Sequence, residues 1–73
     1  MKILHIGYAR RSRNGRALKL DILIESVLSA QRYTGSDGKE YINAVLNVDK
    51  LYSVLEGRKP VTGINQITED GEK

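Results

Sequence analysis

From Ala17 to Glu25 the sequence ALKLDILIE alternates, with Leu18, Leu20, Ile22 and Ile24 on one face and Lys19, Asp21 and Glu25 on the other; Leu23 is the exception. A period of two is the signature of a half-buried strand. Residues 39–48, KEYINAVLNV, repeat it, setting Ile42, Ala44, Leu46 and Val48 against Tyr41, Asn43, Val45 and Asn47. The intervening IESVLSAQR fits two periods. Ile24, Val27, Leu28 and Gln31 have helical spacing, whereas the even-numbered positions from Leu18 to Ala30 keep one apolar parity broken only by Ser26. One long strand, bent near residues 25–27, accounts for more of these positions and is predicted here.

Two turns of the form x-Asn/Asp-Gly, RNG at 13–15 and SDG at 36–38, predict hairpins. In a three-residue loop a turn is followed by a left-handed residue, where glycine costs least. Counting outward from Gly15 then pairs Leu4 with Ile24, Ile6 with Ile22 and Tyr8 with Leu20. Counting from Gly38 pairs Leu28 with Leu46, Ala30 with Ala44 and Tyr33 with Tyr41. Apolar residues meet apolar residues in both hairpins, whereas a two-residue first loop would oppose Leu4 to Glu25 and Tyr8 to Asp21.

After Val48 the spacing becomes helical. Asn47 or Asp49 can cap a short helix, Leu51, Val54 and Leu55 form its apolar stripe, and Gly57 before Arg58, Lys59 and Pro60 ends it. The closing VTGINQI reads as a short strand or an extended edge segment. The predicted fold is α+β: a small curved antiparallel sheet of two hairpins, one short C-terminal helix and that final segment. Residues 1–67 form one domain and 68–73 an acidic flexible tail.

Charge adds an asymmetry that periodicity does not reveal. Residues 1–20 hold Lys2, Arg10, Arg11, Arg13, Arg16 and Lys19 without an acid, while the remainder holds all nine acids and is net negative, leaving +3 overall. A cationic end on an acidic body fits a polyanionic partner; a solvated charged turn is the plainer alternative. There is no cysteine, and the apolar run of MKILHIGYARR is too short for a secretory signal, so the chain is expected to be soluble and cytoplasmic.

Catalytic chemistry is not foreseen. His5 is the sole histidine and lies inside a strand, carboxylates occur singly, and no phosphate-cradling glycine loop or metal-ligand spacing occurs. The chain is therefore expected to be no enzyme and to need no cofactor, metal or membrane. In the predicted register Arg11, Lys19, Ser29, Gln31, Tyr33, Tyr41, Asn43 and Asn47 share the polar face, with Tyr33 and Tyr41 side by side near Arg32 and Lys39. Tyr8 and Tyr52 fall with the core. An open sheet carrying planar rings and flanking cations is a common way to hold single-stranded nucleic acid. The expected contacts are Arg10, Arg11, Arg13, Arg16, Lys19, Arg32, Tyr33, Lys39 and Tyr41, the partners single-stranded DNA or RNA and a second copy in a homodimer. The rival reading is a protein-interaction or oligomerisation module whose tyrosine pair only stabilises the sheet.

The order of elements, a basic N-terminal hairpin, further antiparallel strands and then AVLNVDKLYSVLEG as strand into helix, resembles the positive-cofactor-four family of transcriptional coactivators over residues 3–57. The resemblance implies a curved sheet paired with a helix, dimerisation, and binding of single-stranded or melted DNA through basic and aromatic sheet residues. It would make Arg10, Arg11, Arg13, Arg16 and Lys19 the strand-contacting bases and Tyr33 and Tyr41 the stacking residues. The helix is shorter than that family's dimer-forming one, and Pro60 with VTGINQI is an added segment.

Overall fold

The computed structural model describes residues 1–68. Its elements are β1 (Lys2–Arg11), β2 (Leu18–Ile22), α1 (Ile24–Ser29), β3 (Arg32–Thr34), β4 (Glu40–Ile42), α2 (Val48–Leu55) and β5 (Thr62–Thr68). β1 is the centre of an antiparallel sheet ordered β2-β1-β5, and β3 and β4 form a separate antiparallel hairpin. The architecture is α+β, as the sequence predicts. The final segment is a full strand, Thr68 closes it, and the rest of the predicted acidic tail lies outside the described residues.

A β-bulge organises the sheet. His5 opposes Asn65 and Gly7 opposes Ile64, so Ile6 is an extra residue in β1. The insertion reverses the alternation. Leu4, Ile6 and Ala9 consequently join one core with Ala30, Ile42, Leu46 and Ile64, although their spacing is not strictly even. Gly7 makes the bulge possible: an added Cβ would overlap the Asp21 carbonyl oxygen and stand 3.0 Å from the Ile22 Cα. On β5 the inward positions are Thr62, Ile64 and Gln66, all buried.

The first hairpin corrects the predicted register by one residue. Gly15 is left-handed and its N–H donates to the Ser12 carbonyl, as expected, but the loop holds residues 13–16 because Ser12 N–H bonds Ala17 O at 2.8 Å. Ala9 therefore faces Leu20, and Tyr8 faces Asp21, the apolar-to-polar pairing disfavoured from sequence. Arg16 is the additional loop residue. Its place there is tied by Asn14 Oδ1, which accepts from the Arg16 N–H at 3.0 Å. In the second hairpin the three-residue loop and the Tyr33–Tyr41 pair stand as counted, closed by Gly38.

Where a strand is predicted through residues 24–32, Ile24–Ser29 is instead helix α1 and only Arg32 is in a strand, so the Leu28–Leu46 and Ala30–Ala44 ladder pairs do not form. The small residues Ser26 and Ala30, four apart, are the ones buried, which lets α1 lie close to β1 while Ile24 and Leu28 stay exposed. The strand predicted over 39–48 ends at Ile42 because the chain then crosses to β5. There Val45 and Asn65 exchange backbone hydrogen bonds of 2.7 and 3.1 Å.

Helix α2 follows expectation at both ends. Asn47 Oδ1 accepts from the Lys50 N–H at 3.0 Å, and left-handed Gly57 completes a Schellman motif in which Arg58 N–H reaches Ser53 O and Gly57 N–H reaches Val54 O. Val54 is the helix's buried anchor, while Tyr52, expected with the core, is exposed.

Candidate nucleic-acid interface

The β1–β2 loop is a pre-ordered cationic tip. The Ser12 hydroxyl donates to Asn14 Oδ1 at 2.8 Å and accepts from the Ala17 N–H at 3.1 Å, so the turn around Arg13 and Arg16 is cross-braced. Both arginines are exposed, and among the described residues neither has an acidic partner. Arg11 is employed differently: its Nη1 donates to the Leu55 carbonyl at 3.3 Å, capping the C-terminal end of α2 where the helix dipole favours a cation. That contact brings the exposed Arg58 and Lys59, which follow Gly57, to the same end of the molecule. Arg58 pairs with Glu56 at 2.6 Å.

Above the tip lies the outer face of the sheet, turned away from the core. Arg10 Nε bonds Asp21 Oδ2 at 3.0 Å there, and Lys19 stands directly opposite Arg10. Arg11, predicted to share a face with Lys19, is on the other side because it pairs with Leu18. The bulge also moves Tyr8. Predicted to be core, it is 46% exposed on the outer face, and the His5 ring meets it edge-on at 4.7 Å between centroids. Tyr8 and Arg10 are therefore adjacent same-face positions leading to the tip.

Tyr33 and Tyr41 form the expected cross-strand pair, their ring centroids 5.7 Å apart and their planes 29° from parallel. Their surroundings are balanced rather than cationic. Arg32 Nη1 pairs with Glu40 at 3.4 Å, and the Tyr41 hydroxyl donates to Asp37 Oδ2 at 2.5 Å while Asp37 Oδ1 accepts from the Lys39 N–H at 2.9 Å. The phenol bond, followed by the Lys39 amide bond, holds the Asp37 carboxyl below its ordinary value, and the same bond raises the Tyr41 hydroxyl above 10.0. A depressed carboxyl contributes stability above its unfolded value and loses it as pH falls through the folded one. A raised phenol contributes below its unfolded value and loses it as pH rises through the folded one. Asp37→Asn should therefore return the Tyr41 titration toward about 10, read by ultraviolet absorbance of variants retaining Tyr41 as the only tyrosine.

The predicted site is thus divided. Tyr33 lies beside Gln66 and Thr68, which pair with Leu4 and Lys2, whereas the tip continues from Arg11 at the other end of β1. At about 3.3 Å per strand residue the two groups are roughly 25 Å apart. Tyr8, Arg58 and Lys59 escaped the sequence reading. The signal for Tyr8 was Gly7, since glycine inside an apolar strand marks a bulge or a close backbone approach. Arg58 and Lys59 carried no local signal, because only the docking of α2 brings them to Arg11.

Among the described residues no group of three or more His, Cys, Asp or Glu is placed to hold a metal ion, and no helix is long and apolar enough to cross a membrane. No family model, curated protein or solved structure matches the chain.

Proposed function

We propose that the protein binds single-stranded nucleic acid, DNA or RNA, through the outer face and tip of the β1–β2 hairpin. The observation that supports this most is the juxtaposition the bulge creates: a half-exposed Tyr8 next to Arg10 on a sheet face that leads into Arg13 and Arg16, which have no acidic partner among the described residues. Arg13 and Arg16 would hold phosphates, Arg10 would bridge to the next, and Tyr8 would offer a ring for a base. Such contacts track a backbone and tolerate any sequence. Arg32, Tyr33, Lys39 and Tyr41 would join only on a strand long enough to run the length of β1. This is the kind of binding that the positive-cofactor-four likeness implies, and it needs neither catalysis nor cofactor nor metal. It fits a cytoplasmic protein acting in transcription or DNA maintenance.

Fluorescence anisotropy with a labelled mixed-sequence oligonucleotide tests it. Tyr8→Ala should weaken binding about tenfold, in keeping with about 1–3 kcal/mol for one stacked base. Arg13→Ser with Arg16→Ser should lower affinity for every sequence and flatten the logarithmic salt dependence by about 1.4, roughly 0.7 for each lost phosphate contact to a single strand. Affinity unchanged by both sets would overturn the proposal and favour the protein-interaction module.

A further inference from the structure

β2 is an edge strand, and its outer rim is patterned for a copy of itself. The hydrogen bonds of Leu23 N–H to Ile6 O and Ser12 N–H to Ala17 O fix which residues of the ladder face β1: the odd-numbered 17, 19, 21 and 23. Leu18, Leu20 and Ile22 therefore aim their backbone N–H and C=O groups away from β1, and no strand of the described residues pairs with that rim. Leu20 and Ile22 are 55% and 44% exposed on the inner face, continuous with exposed Ile24 and Leu28 of α1.

We infer that two copies of the chain join antiparallel along β2, centred on Leu20. In that register Leu18 of one copy opposes Ile22 of the other at both ends, and Leu20 opposes Leu20. All three rim residues then exchange paired hydrogen bonds. The close, non-hydrogen-bonded positions between them oppose Lys19 to Asp21 of the second copy, twice. The neighbouring antiparallel registers of the same hydrogen-bond parity set Lys19 against Lys19 or Asp21 against Asp21, so charge selects one register.

An ordinary role for Lys19 is to guard the edge against pairing. Its surroundings argue otherwise. Within one chain Lys19 stands opposite Arg10, a like-charge pair, and has no acidic partner among the described residues. Asp21 of the second copy supplies one, giving a row Arg10–Asp21–Lys19 across the seam. The result is a continuous six-stranded sheet, β5-β1-β2 followed by its two-fold mate, with both inner faces on one side. The isolated Leu20, Ile22 and Leu28 surfaces of the two copies become neighbours there.

Sedimentation equilibrium on the full chain tests this with charge reversals. Lys19→Asp opposes two acids, and Asp21→Lys opposes two lysines; each should weaken the dimer about tenfold or more relative to the wild type. An equimolar mixture of the two variants restores both opposite-charge pairs and should dimerise like the wild type, as should the double reversal. Isotope-filtered spectra of the wild type should show an interchain contact between the α-protons of Lys19 and Asp21. A wild type that stays monomeric to about 0.5 mM, or a dimer indifferent to both reversals, overturns the inference. So does a wild-type dimer whose filtered spectra lack that contact.

Discussion

Gly7→Val should remove a large part of the protein's folding stability. The added Cβ has no room: it would overlap the Asp21 carbonyl oxygen, backbone that cannot swing aside as a side chain can, and it would press on the Ile22 Cα. β1 and β2 would have to separate at the Gly7–Ile22 end of their ladder, beside the bulge that seats Ile6 against Ala9 and Ile64. A cost above about 3 kcal/mol is expected, a large part of the 5–15 kcal/mol that holds a typical domain together. Gly38→Ala is the contrast. Gly38 is left-handed at φ 81° but has open space around it, so only the backbone penalty of about 1 kcal/mol applies. Urea unfolding followed by circular dichroism should separate the two; similar midpoints would show that the Gly7 contact does not govern the sheet.

The same bulge explains which parts of the fold could be read in advance. Turn chemistry and capping are local, so the left-handed glycines at 15, 38 and 57, the Tyr33–Tyr41 pair and the Asn47 cap all follow from a few neighbouring residues. Register across the first hairpin depends on loop length, and RNGR permits a four-residue loop as readily as a three-residue one. Parity along β1 depends on a bulge that alternation alone conceals. One residue of slip and one of insertion were enough to exchange the faces of Tyr8 and Arg11. The segment 24–32 had both periods available, and the structure resolves them in favour of a helix whose buried positions are the small residues Ser26 and Ala30. The cationic tip was legible because it is a run of sequence. Its separation from the tyrosine hairpin was not, because that follows from the chain's crossing from β4 to β5.

Beside the Val45–Asn65 backbone bonds, one side chain ties that crossing down, and Gln66 carries the second large expected effect. Gln66 is 4% exposed and acts as a piece of backbone: its Oε1 accepts from the Gln31 N–H at 2.8 Å, and its Nε2 donates to the Gln31 carbonyl at 2.8 Å and the Asn43 carbonyl at 3.4 Å. It thereby docks both ends of the β3–β4 hairpin onto β5. Gln66→Met, close in volume, removes these bonds and leaves an amide and two carbonyls part-buried without partners. At about 1–3 kcal/mol for a stranded polar group, the loss should be about 2–4 kcal/mol overall. The loss should also be local. Backbone amides at residues 31–42 should exchange with solvent far faster than in the wild type, while those of β1 and β2 keep most of their protection. Uniform loss of protection over the whole chain would show instead that the hairpin and the three-stranded sheet unfold as one unit. The Arg13 and Arg16 tip should keep its contribution to oligonucleotide binding in this variant. Any binding step that appears only with longer oligonucleotides should disappear, because it depends on Tyr33 and Tyr41 being held at the far end of β1.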